Sequence, residues 1–166
     1  VGGQINTTGL KGIDYMLSDS VETPPGVDSL YVEKLIRLPD DYICYVPRSD
    51  TPPIGPVPAK ENGFVTFGCF NNPVKINPII LARWAELLHQ VPSSKLFLKG
   101  SQYDSKDMVA RITRHLEKLG IDSDRLIIET RSPHVELLNS YNRVDIALDP
   151  WPYSGGLTTC EALLMG

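Results

Sequence analysis

From Gly63 onward, apolar runs of strand length alternate with helix-period stripes. "FVTFGCF", "KLFLKG", "RLIIE" and "DIALD" are short β-branched and aromatic runs, and each reads as a strand. Between the first two, Asn77 and Pro78 supply a cap followed by a proline suited to the first helical position. Behind them Ile80, Trp84, Leu87, Leu88 and Val91 recur as one helical stripe. Ser105 predicts the cap of the next helix, with Val109, Ile112, Leu116 and Leu119 on one face and Gly120 as its stop. Ser132 and Pro133 repeat the cap-and-proline device ahead of "HVELLNSYNRV". A Gly-Gly loop then leads into a final helix beginning near Leu157.

Strands alternating with helices of this length predict βαβ units and a parallel sheet. The strands are nearly continuous in apolar character, as in sheets covered on both faces. The fold class expected is therefore α/β: a Rossmann-like parallel-sheet lobe over residues 63–166, preceded by a Pro-rich connector or edge segment over residues 1–62. That first part holds most of the prolines, including "TPPIGPVPAKENG" from Thr51, so long regular elements are not expected there. Within it "IDYMLSD" predicts a strand, "SLYVEKLIRLP" a short helix stopped by Pro39, and "DYICYVP" another strand.

In an open parallel sheet ligands sit beyond the carboxyl ends of the strands, which directs attention to three loops. "FNNPVKINP" carries Lys75 beside Asn71 and Asn72; the lysine is either a phosphate partner or a solvated loop cation. "ETRSPH" places Arg131 and His134 around a helix start. "LDPWPYSGGLTTCEALLMG" sets Gly155, Gly156, Leu157, Thr158 and Thr159 ahead of Glu161. Bare backbone, hydroxyls and the first turn of a helix suit a diphosphate, with Glu161 better matched to a sugar hydroxyl; a plain Gly turn with a Thr cap is the alternative. Neither a Walker A loop nor a dinucleotide fingerprint is present.

Composition narrows the classes. The chain has 166 residues, 42% hydrophobic and 22% charged, with net charge −4, which excludes a broad nucleic-acid or membrane surface. Its length suits one domain or a compact lobe. Cys44, Cys69 and Cys160 are too scattered for a zinc site or a disulfide framework and read as reduced thiols of a cytoplasmic protein. No apolar run approaches the ~20 residues that span a bilayer.

Taken together, "TFGCFNNPVKINP", "SPHVELLNSYNRVDIALDPWPYSGGLTTCEALLMG" and "DYMLSD…PPG…YVEKLIRLP" resemble the catalytic region of the O-linked N-acetylglucosamine transferases. These are tetratricopeptide-repeat protein O-glycosyltransferases, and the similarity is greatest to bacterial and plant SPINDLY-type members. The resemblance implies a two-lobe GT-B enzyme that binds its nucleotide sugar mainly through the C-terminal lobe, inverts the sugar configuration, needs no metal or other cofactor, and modifies Ser/Thr of proteins. UDP-N-acetylglucosamine is the donor it implies. GDP-fucose, another nucleotide sugar, or a non-catalytic nucleotide-binding scaffold are the alternatives. It further implies that Lys75 neutralises the leaving diphosphate and that Thr158 binds phosphate. Glu161 would hold a ribose, and Asn72 falls where some members carry Gln. Gly156 and Leu157 stand where animal enzymes have His and Thr, so backbone roles carry over better than side-chain roles. His134 lies near a base-contacting His, with different local spacing. On the same resemblance the chain is a fragment, with the repeats, the other lobe and the acceptor site before Val1 and further elements after Gly166.

Overall fold

The computed structural model describes residues 6–166. They form two compact units, divided between Val46 and Pro47 rather than near residue 62. The Pro-rich stretch belongs to the second unit because side chains there satisfy its backbone. Asn142 Oδ1 accepts from Gly55 N at 2.8 Å, Asn142 Nδ2 donates to the Pro53 carbonyl at 3.0 Å, and Asp145 accepts from Ala59 N at 2.8 Å.

The first unit is built on two parallel strands, β1 (Tyr15–Asp19) and β2 (Lys34–Leu38), in register Tyr15↔Lys34 to Asp19↔Leu38. The helix expected over "SLYVEKLIRLP" is absent: a 3₁₀ turn at Asp28–Leu30 gives way to β2. Eleven residues ending at a proline make a poor isolated helix, whereas pairing with β1 supplies a hydrogen-bond ladder along the segment. The strand expected over "DYICYVP" also does not form. Asp19 instead accepts from the N–H groups of Val21 and Glu22, each at 2.8 Å, and of Tyr42 at 3.2 Å. These bonds, Glu22's foremost, outweigh burial and hold its carboxyl below the usual range.

The second unit contains a four-stranded parallel sheet in the order β5-β4-β3-β6. The chain runs through α1 (Pro58–Asn62), β3 (Thr66–Cys69), α2 (Pro78–Gln90), β4 (Lys95–Lys99), α3 (Lys106–Lys118), β5 (Leu126–Glu129), α4 (His134–Tyr141), β6 (Ile146–Ala147) and α5 (Leu157–Leu164). Central β4 shows how the sequence builds both layers. Leu96 and Leu98 pack into one cluster with Ile80, Trp84 and Leu88 of α2 and Ile112 and Leu116 of α3. Phe97, between them, points to the other face and joins Phe70, Leu138, Tyr141 and Met165. All three β4 residues are fully buried, as the two-residue period of a strand covered on both faces requires.

The local signals of this unit largely hold. Asn77 Oδ1 accepts from Ile79 N and Ile80 N at 3.0 Å, and Ser105 Oγ accepts from Met108 N at 3.3 Å. Gly120, at φ +79°, ends α3 in the left-handed conformation that glycine favours. Two expectations need correcting. Ser132 does not cap α4; Pro133 holds that position, and Ser132 Oγ is buried without a hydrogen-bond partner among the described residues. The proline's extended φ/ψ carries the chain into α4 without a side-chain cap. The fourth strand of this lobe is short, pairing with β3 as Phe67↔Ile146 and Gly68↔Ala147.

Glu33 gives the first unit a titratable brace. Its carboxylate, 4% exposed, accepts from the Thr7 hydroxyl and the Thr8 N–H at 2.7 Å each, and from the Thr8 hydroxyl. The Thr8 hydroxyl chiefly, against the opposing effect of burial, pushes its pKa down to about 2. A carboxyl whose folded value is depressed adds stability above its unfolded value of about 4.3, and that contribution fades as pH falls towards the folded value. Amide signals of Thr8 and β2 should therefore lose protection between about pH 4.5 and 2, and Glu33→Gln should flatten that acid dependence. An identical acid profile in Glu33→Gln would remove Glu33 as the cause.

Candidate functional site

The order β5-β4-β3-β6 means that the chain winds outwards from β3 through β4 to β5, then crosses back to place β6 on the other side of β3. This reversal opens a crevice between the carboxyl ends of β3 and β6, where α/β sheets receive ligands. A cavity of about 290 Å³ lies there, lined by Gly68, Phe70, Asn71, Asp149, Thr158 and Thr159 among others. That is near the lower end for a small-molecule pocket.

The loop leaving β3 makes a 3₁₀ turn over Pro73–Lys75. Asn72 spends its side chain on this turn, accepting from Val74 N at 3.0 Å. Asn71, 5% exposed, turns instead towards the loop after β6. Its Oδ1 accepts from Lys75 Nζ at 3.2 Å and from Thr158 Oγ1 at 3.0 Å, and its Nδ2 donates to Asp149 Oδ1 at 3.3 Å. Lys75 Nζ also donates to the Ser154 carbonyl at 2.7 Å and stands 4.6 Å from the centre of the Tyr153 ring. Asp149 ties down the glycine loop, accepting from Gly155 N at 2.6 Å and from Thr159 Oγ1 at 3.3 Å. Tyr141 of α4 steadies the helix start by donating to the Thr158 carbonyl at 3.1 Å.

The first turn of α5 thus faces the crevice beside an ammonium. Its leading N–H groups have no intrahelical acceptor, and its dipole favours negative charge. Gly156 stands at the N-cap, and Leu157 begins the helix with its side chain exposed. Glu161, 8% exposed, is bonded to His134 Nε2 at 2.7 Å, which joins the first turn of α4 to α5. A carboxylate offers about four lone-pair sites, so His134 leaves capacity for a sugar hydroxyl. Burial pushes the Cys69 thiol up to about 11, so it stays protonated beneath the site. Among the described residues no group of three or more His, Cys, Asp or Glu is placed to hold a metal ion. No helix among them is long and apolar enough to cross a membrane.

Of the residues singled out from sequence, Lys75, Gly155, Thr158 and Thr159 meet through the Asn71–Asp149 pair, with Gly156 and Leu157 at the adjoining helix start. Glu161 and His134 form a second contact on the same helix. Asn72 stays on its own turn. Arg131 lies apart, 79% exposed and 3.9 Å from Asp104. The sequence reading missed Asp149, although a carboxylate at a strand end just before a glycine loop was a visible signal.

A parallel sheet with a switch-point crevice and an anion-ready helix start defines a Rossmann-like ligand-binding lobe. Comparison with known proteins gives it a family. Residues 59–166 match the model of glycosyl transferase family 41. The chain is 43% identical over 99% of its length to a probable UDP-N-acetylglucosamine–peptide N-acetylglucosaminyltransferase SPINDLY of Petunia hybrida, and equally to that of Arabidopsis thaliana. It spans 18% of each of these relatives. Among solved structures, a mutant of the Thermobaculum terrenum O-GlcNAc transferase superposes with a TM-score of 0.89 and 40% identity, covering 98% of this chain and 30% of that one. The chain belongs to glycosyl transferase family 41.

Gly155 supports a direct test of how tightly this site is packed. A Cβ there would lie 2.5 Å from Thr158 Oγ1, 2.6 Å from Thr159 Oγ1 and 2.9 Å from Asn71 Oδ1, whereas one at Gly156 would meet nothing within 4 Å. Gly155→Ala should therefore cost about 1–3 kcal/mol of stability, the usual scale for overpacking. Gly156→Ala meets no clash and should cost less, only the modest penalty that alanine carries at an N-cap. Equal melting temperatures for Gly155→Ala and the wild type would show that the loop is loose.

Proposed function

We propose that this chain is the donor-binding part of an inverting, metal-independent glycosyltransferase that moves N-acetylglucosamine from UDP-N-acetylglucosamine to Ser or Thr of proteins. The observation that carries this reading is the convergence of Lys75 and Thr158 on one amide oxygen at the head of α5. The SPINDLY relatives, named as probable UDP-N-acetylglucosamine–peptide N-acetylglucosaminyltransferases, support it. So does the O-GlcNAc transferase whose structure this chain matches.

The reaction expels a nucleoside diphosphate, so negative charge grows on the leaving oxygens as the glycosidic bond breaks. Lys75 and the N–H groups at the head of α5 are fixed beside the place where that charge develops. Preorganised positive groups of this kind act on the transition state more than on the ground state. Glu161 takes the ribose role, steadied by His134.

Calorimetric titration of the full-length protein with UDP- and GDP-sugars tests the donor. Binding of UDP-N-acetylglucosamine and transfer to a protein acceptor, unaffected by a chelator, is the expected outcome. Exclusive use of GDP-fucose would overturn the donor, and binding without any transfer would leave a scaffold. Lys75→Ala should lower kcat by about 10²–10³, roughly 3–4 kcal/mol, with a smaller loss of donor affinity. Glu161→Ala should do the reverse. If Lys75→Ala raised only the donor Kd, the lysine would be an anchor and not a transition-state group.

A further inference from the structure

We propose that Asn71 is the positioning residue of this site, its side-chain amide setting the aim of the Lys75 ammonium and of the first turn of α5. The proposal rests on the nucleotide-sugar reading above. The chemistry of its neighbours settles which way the amide points. Lysine can only donate and an ionised aspartate can only accept, so Oδ1 faces Lys75 and Nδ2 faces Asp149. With Oδ1 on that side, Thr158 must donate its hydroxyl proton to Asn71. One small buried side chain thereby joins the end of β3, the end of β6 and the start of α5.

This arrangement divides the labour at the anion site. The single proton of the Thr158 hydroxyl is committed to Asn71, so Thr158 meets a bound anion through its backbone N–H, and its side chain acts as a brace. Lys75 has three protons and commits two, to Asn71 and to the Ser154 carbonyl. The third is free for the ligand, in a direction that Asn71 restricts. Losing the amide would release both groups together, and a misplacement of about 1 Å costs on the order of 10²-fold in rate.

Asn71→Ala and Asn71→Asp in the full-length enzyme distinguish aiming from mere packing. A protonated Asp at position 71 reproduces the native pattern, its O–H donating to Asp149 and its C=O accepting from Lys75 and Thr158. An ionised one sets a second carboxylate against Asp149 and loses the donor. Two carboxylates this close share a proton over part of the pH range. Asn71→Ala is expected to lower kcat about 10²-fold with the donor KM changed by less than about threefold. Asn71→Asp is expected to be as poor near pH 8 and, relative to the wild type, to recover at least about tenfold by pH 5.5, while Asn71→Ala recovers nothing. A wild-type kcat in Asn71→Ala, a loss confined to donor affinity, or an Asn71→Asp profile parallel to that of Asn71→Ala would each overturn the proposal. Should Asn71→Ala fail to fold, the pH profile of Asn71→Asp against the wild type decides alone. A wild-type enzyme that neither binds a nucleoside diphosphate nor transfers sugar would instead overturn the reading on which the proposal rests.

Discussion

The contact between the Asn71 amide and the Asp149 carboxylate, 3.3 Å across the crevice, is the constraint on which the site of the second unit depends. β6 contributes just two residues to the sheet ladder, so its pairing with β3 is a weak guarantee of where the following loop goes. Side chains make up the difference on both ends of that strand. At the amino end, Asp145 accepts from Ala59 N and from Thr66 N, each at 2.8 Å, tying β6 to the Pro-rich stretch and to β3. At the carboxyl end, Asp149 collects Asn71, Gly155 and Thr159. Two aspartates four residues apart thus do for a short strand what a longer ladder would do by backbone alone.

The same pair shows how an acidic residue can sit inside the proposed anion site. Asp149 would repel a phosphate if its oxygens faced the ligand. It is instead bonded to a backbone N–H, an amide and a hydroxyl, so much of its charge is spent on the loop's own donors. The amide then relays the polarity: its positive end meets Asp149, and its negative end meets Lys75. Gly155 allows this density of polar contacts because any side chain there would occupy the space of two hydroxyls and the Asn71 carbonyl. Packing and electrostatics impose the same residue choice at that position.

Much of the second unit was legible because its signals are local. Asn77 and Ser105 cap where the spacing placed them, Gly120 ends α3, and the apolar stripes of α2 and α3 face the sheet. What was not legible depended on partners distant in sequence. Residues 34–38 read as a helix because their pattern is too short to fix a period, and β1 decides the matter by pairing. Ser132 looked like a cap by type, but the proline after it fixed the helix entry. The loop lysine and the Gly-Thr helix start were visible as chemistry, yet nothing in the sequence says that they share an acceptor 87 and 4 residues away. Choosing between Asn71 and Asn72 likewise required the turn at Pro73, which consumes the second amide and leaves the first to face the crevice.

The bond between Lys75 and the Ser154 carbonyl bears on why this geometry suits the proposed reaction. The ammonium is already desolvated in part and already held by two oxygens of fixed direction, with an aromatic face beside it. Either oxygen is a neutral acceptor, and a diphosphate oxygen is a charged one. Both bonds are already charge-assisted on the donor side, and the third ammonium proton can meet a diphosphate oxygen, where opposite charges add their attraction to the hydrogen bond. A donor in its ground state already carries diphosphate charge, but that charge grows and shifts to the bridging oxygen as the sugar departs. In the proposed reaction Lys75 therefore acts where the rate is set, since only stabilisation that increases towards the transition state lowers the barrier.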